Sequence, residues 1–170
     1  MIILKSKWTL FFVLPVLVLL LLYFLGRKTF HTEITIPAAP ETVWSVLTDA
    51  PGYQEWNPLL VPIEGNLQEG QKIKYQMTQP DGKQSVLTSK VKKIVANKEL
   101  NQYGGIPGLL TFDHQYLLER VDGGTRVTQY EVDRGIGLLF WDASWVEPTY
   151  RKVNEALRDR VIHLKKNKQK

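Results

Sequence analysis

Residues 34–58, ITIPAAPETVWSVLTDAPGYQEWNP, constrain the fold more than any other stretch of the chain. Ile34 and Ile36 flank Thr35 in strand alternation, and Pro37 ends the strand because proline has no N–H to give to a ladder. Pro40 suits a first helical turn, and Val43, Trp44 and Leu47 then fall on one helical face. Asp49-Ala50-Pro51-Gly52 stops that helix, and Tyr53 and Trp56 anchor a second short one that Pro58 closes. A strand must therefore lead into two short helices joined at an angle.

Downstream, the period changes to two. Lys72, Lys74 and Gln76 alternate with Ile73, Tyr75 and Met77, and Pro80-Asp81-Gly82 makes a hairpin turn. Strands are expected at 60–65, 72–78, 85–96, 99–103, 111–121 and 125–134, with a Gly104-Gly105-Ile106-Pro107-Gly108 loop. From Glu147 a helix is expected, with Pro148 in its first turn. Tyr150, Val153, Leu157, Val161 and Leu164 form its apolar stripe.

Residues 111–134 allow a register to be written down. Arg126 and Arg134 facing water send Val127, Gln129, Glu131 and Asp133 inward. On the partner strand, Asp113 and Gln115 outward send Phe112, His114, Tyr116 and Leu118 inward. If Asp122-Gly123 is a two-residue turn, paired positions sum to 245, so that His114 faces Glu131, Tyr116 faces Gln129 and Leu118 faces Val127. Moving the turn to Gly123-Gly124 changes the partners but keeps the same faces, whereas a three-residue loop would break the assignment.

The run Ile36-Pro37-Ala38-Ala39-Pro40-Glu41-x-Val43-Trp44-x-Val46-Leu47-x-Asp49, followed by Tyr53-x-x-Trp56-Asn57-Pro58, resembles the opening of the SRPBCC superfamily. That superfamily includes START, birch-pollen-allergen-like and polyketide cyclase/dehydrase-like proteins. GLLTFDHQYLLERVDGGTRVTQYEVDRGIG resembles the late hairpin of the cyclase-like branch. The resemblance covers residues 32–166 and implies an α+β helix-grip fold, with a seven-stranded curved antiparallel sheet, two short helices and a long C-terminal helix across the concave face. A sheet gripping one helix leaves space that side chains do not fill. The expected cavity lining is Ile73, Tyr75, Met77, Phe112, Tyr116, Leu118, Val127 and Gln129 from the sheet, Trp141 and Trp145 at the mouth, and Val153 and Leu157 from the helix.

At the front, residues 8–25 read WTLFFVLPVLVLLLLYFL, long enough as a helix to rise about 27 Å. No small-residue cleavage site follows, so the expectation is an uncleaved single-pass transmembrane helix at 8–26, with Trp8 and Tyr23 at the interfaces. Residues 1–7 are then a flank, 27–31 a linker, 32–166 the helix-grip domain and 167–170 a basic tail. Lys5 and Lys7 before the span against Arg27 and Lys28 after it lean the domain slightly to the extracytoplasmic side of the membrane.

The net charge of +5 belongs to the chain ends. Of the 22 Lys and Arg, four lie in 1–28 and six in 158–170, leaving twelve in 29–157 against sixteen of the 17 Asp and Glu. The globular part is thus slightly acidic and shows no basic face for nucleic acid. Three histidines at positions 31, 114 and 163 have no metal-ligand spacing, and there is no cysteine, so no metal site and no cofactor are expected.

His114 with Glu131 is the pair suited to proton chemistry, since a carboxylate beside an imidazole orients it and raises its pKa. Three functions follow from these expectations. The first is a membrane-anchored domain binding a lipophilic small molecule or lipid. The second is a cyclase- or dehydratase-like enzyme that uses His114 and Glu131. The third is a membrane-tethered interaction or stress module, whose protein partners the sequence does not name.

Overall fold

Seven antiparallel strands curve around one long helix in the computed structural model, which describes residues 7–167, with side chains from residue 11 onward. The strands are β1 (Arg27–Ile36), β2 (Leu60–Gly65), β3 (Lys72–Thr78), β4 (Gln84–Val95), β5 (Glu99–Ile106), β6 (Leu110–Val121) and β7 (Gly124–Arg134). Their spatial order is β1-β7-β6-β5-β4-β3-β2. Tight hairpins make successive strands neighbours from β2 to β7, and β1 completes the sheet on the free side of β7, with Ile34 opposite Val127.

Between β1 and β2 lie α2 (Pro40–Leu47) and a 3-10 turn, Ala50–Glu55. Extended backbone at Ala39 and proline in the first turn start α2, and its Val43, Val46 and Leu47 are buried. The Tyr53 hydroxyl donates to the Leu47 carbonyl at 2.6 Å, which fixes the angle between the two elements. Thr125 at the start of β7 donates to the Ala38 carbonyl at 2.7 Å, holding the strand-to-helix corner on the sheet.

The last helix, α3 (Val146–Asn167), begins one residue before the expected Glu147. It buries Val146, Tyr150, Val153, Leu157 and Val161 at spacings of three and four. Full burial of one such aliphatic side chain contributes about 1.5–3 kcal/mol. Its exposed face carries ion pairs, among them Arg160 with Glu55 at 2.6 Å, which joins α3 to the 3-10 turn.

Two sequence expectations are corrected at the front of the chain. The presumed linker 27–31 is strand: β1 starts at Arg27 and pairs with β7 from Arg134 onward. Patterning missed it because Arg27, Lys28, Thr29, Phe30 and His31 follow the apolar run without a turn signal other than Gly26. The second correction concerns the membrane. The apolar run is helical, α1 (Lys7–Leu25), but its described side chains begin at Phe11. Among the described residues no helix is long and apolar enough to cross a membrane. The expected span at 8–26, the single-pass membrane localisation and its extracytoplasmic lean are overturned by that finding. The Trp8 side chain, the flank 1–6 and the tail residues 168–170 lie outside the described residues.

The Gly104-Gly105 loop also differs from expectation, because β5 runs through both glycines to Ile106 before turning at 107–109. Gly135, at the end of β7, takes φ 134°, and a side chain there would collide with the Leu109 carbonyl oxygen. Its N–H donates to the Gly26 carbonyl at 2.8 Å, so this close approach ties the β1 end of the sheet to the loop that precedes α3.

Candidate functional site

Curvature leaves a mainly apolar cavity of about 270 Å3 between the concave face of the sheet and the first turns of α3. Its floor is the run of inward residues that alternation places on β3 to β7. The turn between β6 and β7 has two residues, Asp122-Gly123, so the register is the one written from the sequence: His114 opposite Glu131, Tyr116 opposite Gln129, Leu118 opposite Val127.

Of the twelve residues expected to line the cavity, Tyr75, Met77, Phe112, Tyr116, Gln129, Trp141, Trp145 and Val153 do so, as do His114 and Glu131. Ile73, Leu118, Val127 and Leu157 do not. They are buried in the close-packed core toward the closed end of the grip. Alternation gives the face on which a side chain stands, but the depth of the space above it is set by how closely α3 approaches.

Several lining residues lay outside the expectation. Leu59 and Leu60 enter from the start of β2, Leu87, Ser89 and Gln102 from β4 and β5, and Asp133, Val146 and Tyr150 from the end nearest the tryptophans. Asp133 was legible as inward-facing, and Tyr150 as part of the apolar stripe of α3. Neither reading carried the polar chemistry that joins them.

The polar groups form two clusters. On one wall, the Gln102 side-chain amide donates to the Tyr75 hydroxyl at 2.8 Å and to Ser89 Oγ at 3.0 Å. On the other, Gln129 is the centre. Its amide nitrogen donates to the Tyr150 carbonyl at 3.0 Å and to Asn154 Oδ1 at 2.7 Å, and its Oε1 lies 3.2 Å from His114 Nε2. Asn154 in turn donates to Thr32 Oγ1 at 3.1 Å, linking α3 to β1.

His114 and Glu131 are cross-strand neighbours, yet each bonds elsewhere. The imidazole turns to Gln129 and packs edge-on against the Tyr116 and Tyr150 rings. Glu131 Oε2 accepts from the Tyr150 hydroxyl at 2.8 Å. Burial pushes the His114 pKa down to about 4, outweighing the hydrogen bond to Gln129, so the ring is neutral at physiological pH. Burial pushes Glu131 well above the usual carboxylate range, and the nearby Asp133 charge pushes it further. Burial also raises Asp133, to about 6, against the lowering effects of its bond to Glu131 and of the Lys28 charge. Both carboxyl groups are thus shifted upward by burial, and as close neighbours they resist ionising together.

Around the mouth, Trp141 and Trp145 meet edge to face at 6.0 Å, and Phe30 packs on Trp141 in the same manner. The neighbouring loops carry an apolar rim. Ile106, Leu109, Leu139 and Phe140 are exposed, Phe140 at 84%, whereas Leu138 is buried and Leu110 lines the cavity. Trp44 and Trp56 pack the two short elements against the core. Among the described residues no group of His, Asp and Glu is placed to hold a metal ion.

Solved structures with the same architecture are numerous and distant in sequence. A protein from Rhodobacter sphaeroides superposes with a TM-score of 0.65 at 20% identity, covering 81% of this chain and 93% of its own. Ara h 8.0201 gives 0.62 at 21% identity over 81% of this chain and 99% of its own. The di-domain ARO/CYC BexL from the BE-7585A biosynthetic pathway gives 0.64 at 12% identity, covering 78% of this chain and 49% of its own. At such identities the likeness establishes the fold alone. No curated protein matches the chain. One family profile does, over residues 27–161, starting at the first residue of β1 and ending where α3 makes its last buried contact. By that match the chain belongs to the polyketide cyclase / dehydrase and lipid transport family.

Proposed function

We propose that this domain binds a lipophilic small molecule or lipid in the cavity between the sheet and α3. The observation that carries the reading is the cavity itself: about 270 Å3 of mainly apolar space in a protein whose core is otherwise close-packed. Empty apolar volume destabilises a fold, because the side chains that line it lack contacts on one side. An apolar ligand would restore the missing contacts. Native mass spectrometry and organic extraction of the purified protein from a lipid-rich host test this. A stoichiometric lipophilic passenger is expected. An empty protein that also fails to bind a fluorescent fatty acid would overturn the reading.

A second reading, a cyclase- or dehydratase-like enzyme, draws support from one observation. His114, Glu131 and Asp133 all face the same cavity, which is uncommon for residues whose only role is packing. The neutral imidazole is available as a base, and Glu131, whose ionisation burial disfavours, as an acid toward a carbonyl substrate. Replacing His114 by Ala separates the two readings: an enzyme loses turnover, whereas a carrier changes its affinity for an apolar ligand only modestly.

A further inference from the structure

The bonds around Gln129 fix the tautomer of His114. Tyr150 offers Gln129 a backbone carbonyl, which only accepts, so the Gln129 atom facing it must be the amide nitrogen. That nitrogen also donates to Asn154 Oδ1, and Gln129 Oε1 is left to face His114 Nε2 at 3.2 Å. An acceptor in that place requires a proton on Nε2. In the neutral ring Nδ1 then carries the lone pair.

Nothing in the protein uses that lone pair. His114 Nδ1 and the Tyr116 hydroxyl make no hydrogen bond among the described residues, where the side chains of both line the cavity. The polar atoms sealed off without a partner are Trp56 Nε1, Asn101 Oδ1 and Asp133 Oδ1, and neither of these two is among them. Both therefore open onto the cavity. Tyr116 is only 7% exposed, and its ring centre lies 4.8 Å from that of His114, two residues away on the same face of β6. A free acceptor and a free donor thus stand together in a wall that is otherwise mainly apolar. Buried polar groups left without a partner are costly, so the pair marks where a ligand's polar group belongs.

Resting on the reading of the cavity as a lipophilic site, we propose that its ligand is an uncharged lipophile bearing a hydroxyl, which donates to His114 Nδ1 and accepts from the Tyr116 hydroxyl, with the apolar body toward Leu60, Met77 and Leu87. A hydroxyl is the small group that gives one proton and offers lone pairs at the same atom. A ketone would satisfy Tyr116 but set its oxygen against the His114 lone pair. An ammonium has no lone pair for Tyr116, and a carboxylate has no proton for Nδ1. Either would also bring a charge into a mainly apolar space.

The test is a titration of the full chain, at neutral pH, with decanol, methyl octyl ketone and decylamine, read by the fluorescence of Trp141 and Trp145, which line the cavity. Decanol is expected to bind at least about tenfold more tightly than the ketone, with decylamine also weaker than decanol. In His114→Phe the ratio of alcohol to ketone affinity is expected to fall to about one, because the acceptor is gone. In Tyr116→Phe both should weaken by about fivefold, since both lose the same donor. Ketone or amine matching decanol on the wild-type protein would overturn the hydroxyl assignment while leaving the cavity reading intact. That comparison stands even if the variants fail to fold. An unchanged ratio in folded His114→Phe, or unchanged affinities in folded Tyr116→Phe, would overturn it as well. Failure of all three probes to bind would overturn the cavity reading and this proposal together.

Discussion

The Tyr150 hydroxyl on α3 donates to Glu131 Oε2 on β7 at 2.8 Å, so the helix that roofs the cavity is fastened to the sheet through one of the cavity's own acids. Both residues are buried, Tyr150 at 9% and Glu131 at 7% exposure. Tyr150→Phe keeps the ring and leaves the carboxyl oxygen without its donor. A loss of about 1–3 kcal/mol in denaturant-derived stability is expected. A variant as stable as the wild type would show that the bond contributes nothing net.

Gln129 satisfies three partners on two elements, β6 and α3, and it is 1% exposed. Gln129→Leu would strand Asn154 Oδ1, the Tyr150 carbonyl and the His114 ring at once. The expected cost is about 2–4 kcal/mol, more than that of a single hydrogen bond. In a double-mutant cycle with Asn154→Ala the two changes should fall short of additivity by about 0.5 kcal/mol or more, and simple additivity would argue against a shared network.

The titrating groups oppose one another in their effect on stability. Asp133 is raised from its ordinary value to about 6, and Glu131 shifts in the same direction. Stability from a raised acid is fully present below the unfolded-state value and is lost as pH rises through the folded one. His114 is lowered to about 4, so its contribution is present above the ordinary histidine value and is lost as pH falls toward about 4. Urea midpoints measured across that window should therefore fall with rising pH in His114→Gln, where only the acids act. They should rise with pH in the Glu131→Gln, Asp133→Asn double variant. The same slope in both variants would contradict the assignment.

Leu157 and Met77 separate the packed core from the cavity wall. Leu157 is fully buried away from the void, so Leu157→Ala should cost about 2–5 kcal/mol and leave the affinity for an apolar probe within a few-fold of wild type. Met77 lines the void. Met77→Trp should fill part of it and weaken probe binding about tenfold or more with a stability change below about 1.5 kcal/mol, checked by fluorescence titration beside thermal melts.

Gly135 carries a constraint unrelated to the ligand. Its φ of 134° and its approach to the Leu109 carbonyl leave no room for a side chain. Gly135→Ala should destabilise by about 1–3 kcal/mol, and an unaffected melting temperature would show that the loop shifts without cost.

Local patterning accounts for a large part of this architecture. Proline at positions 37 and 40 separated β1 from α2, period-two alternation marked β3 and the β6–β7 hairpin, and spacings of three and four marked α3. The hairpin went furthest. Either two-residue turn, Asp122-Gly123 or Gly123-Gly124, keeps the same faces inward, and the one that forms, Asp122-Gly123, puts His114 opposite Glu131 and Tyr116 opposite Gln129.

What patterning left open was long-range. The run after Gly26 carries no local sign that it will pair with β7, a hundred residues later, and that pairing is what places Lys28 beside Asp133. Nor does alternation say which inward side chains meet a neighbour and which meet a void. Ile73 and Tyr75 share a strand and a face, yet one is packed core and the other cavity wall, because the gap to α3 widens along the curved sheet. The amino-acid sequence by itself determined most of the elements and their faces, which follow from dihedral preference and periodicity over a few residues. Only the tertiary structure decided the cavity, the bonds from His114 to Gln129 and from Tyr150 to Glu131, and the unpartnered oxygen of Asp133, since each depends on distances between elements that no local rule sets.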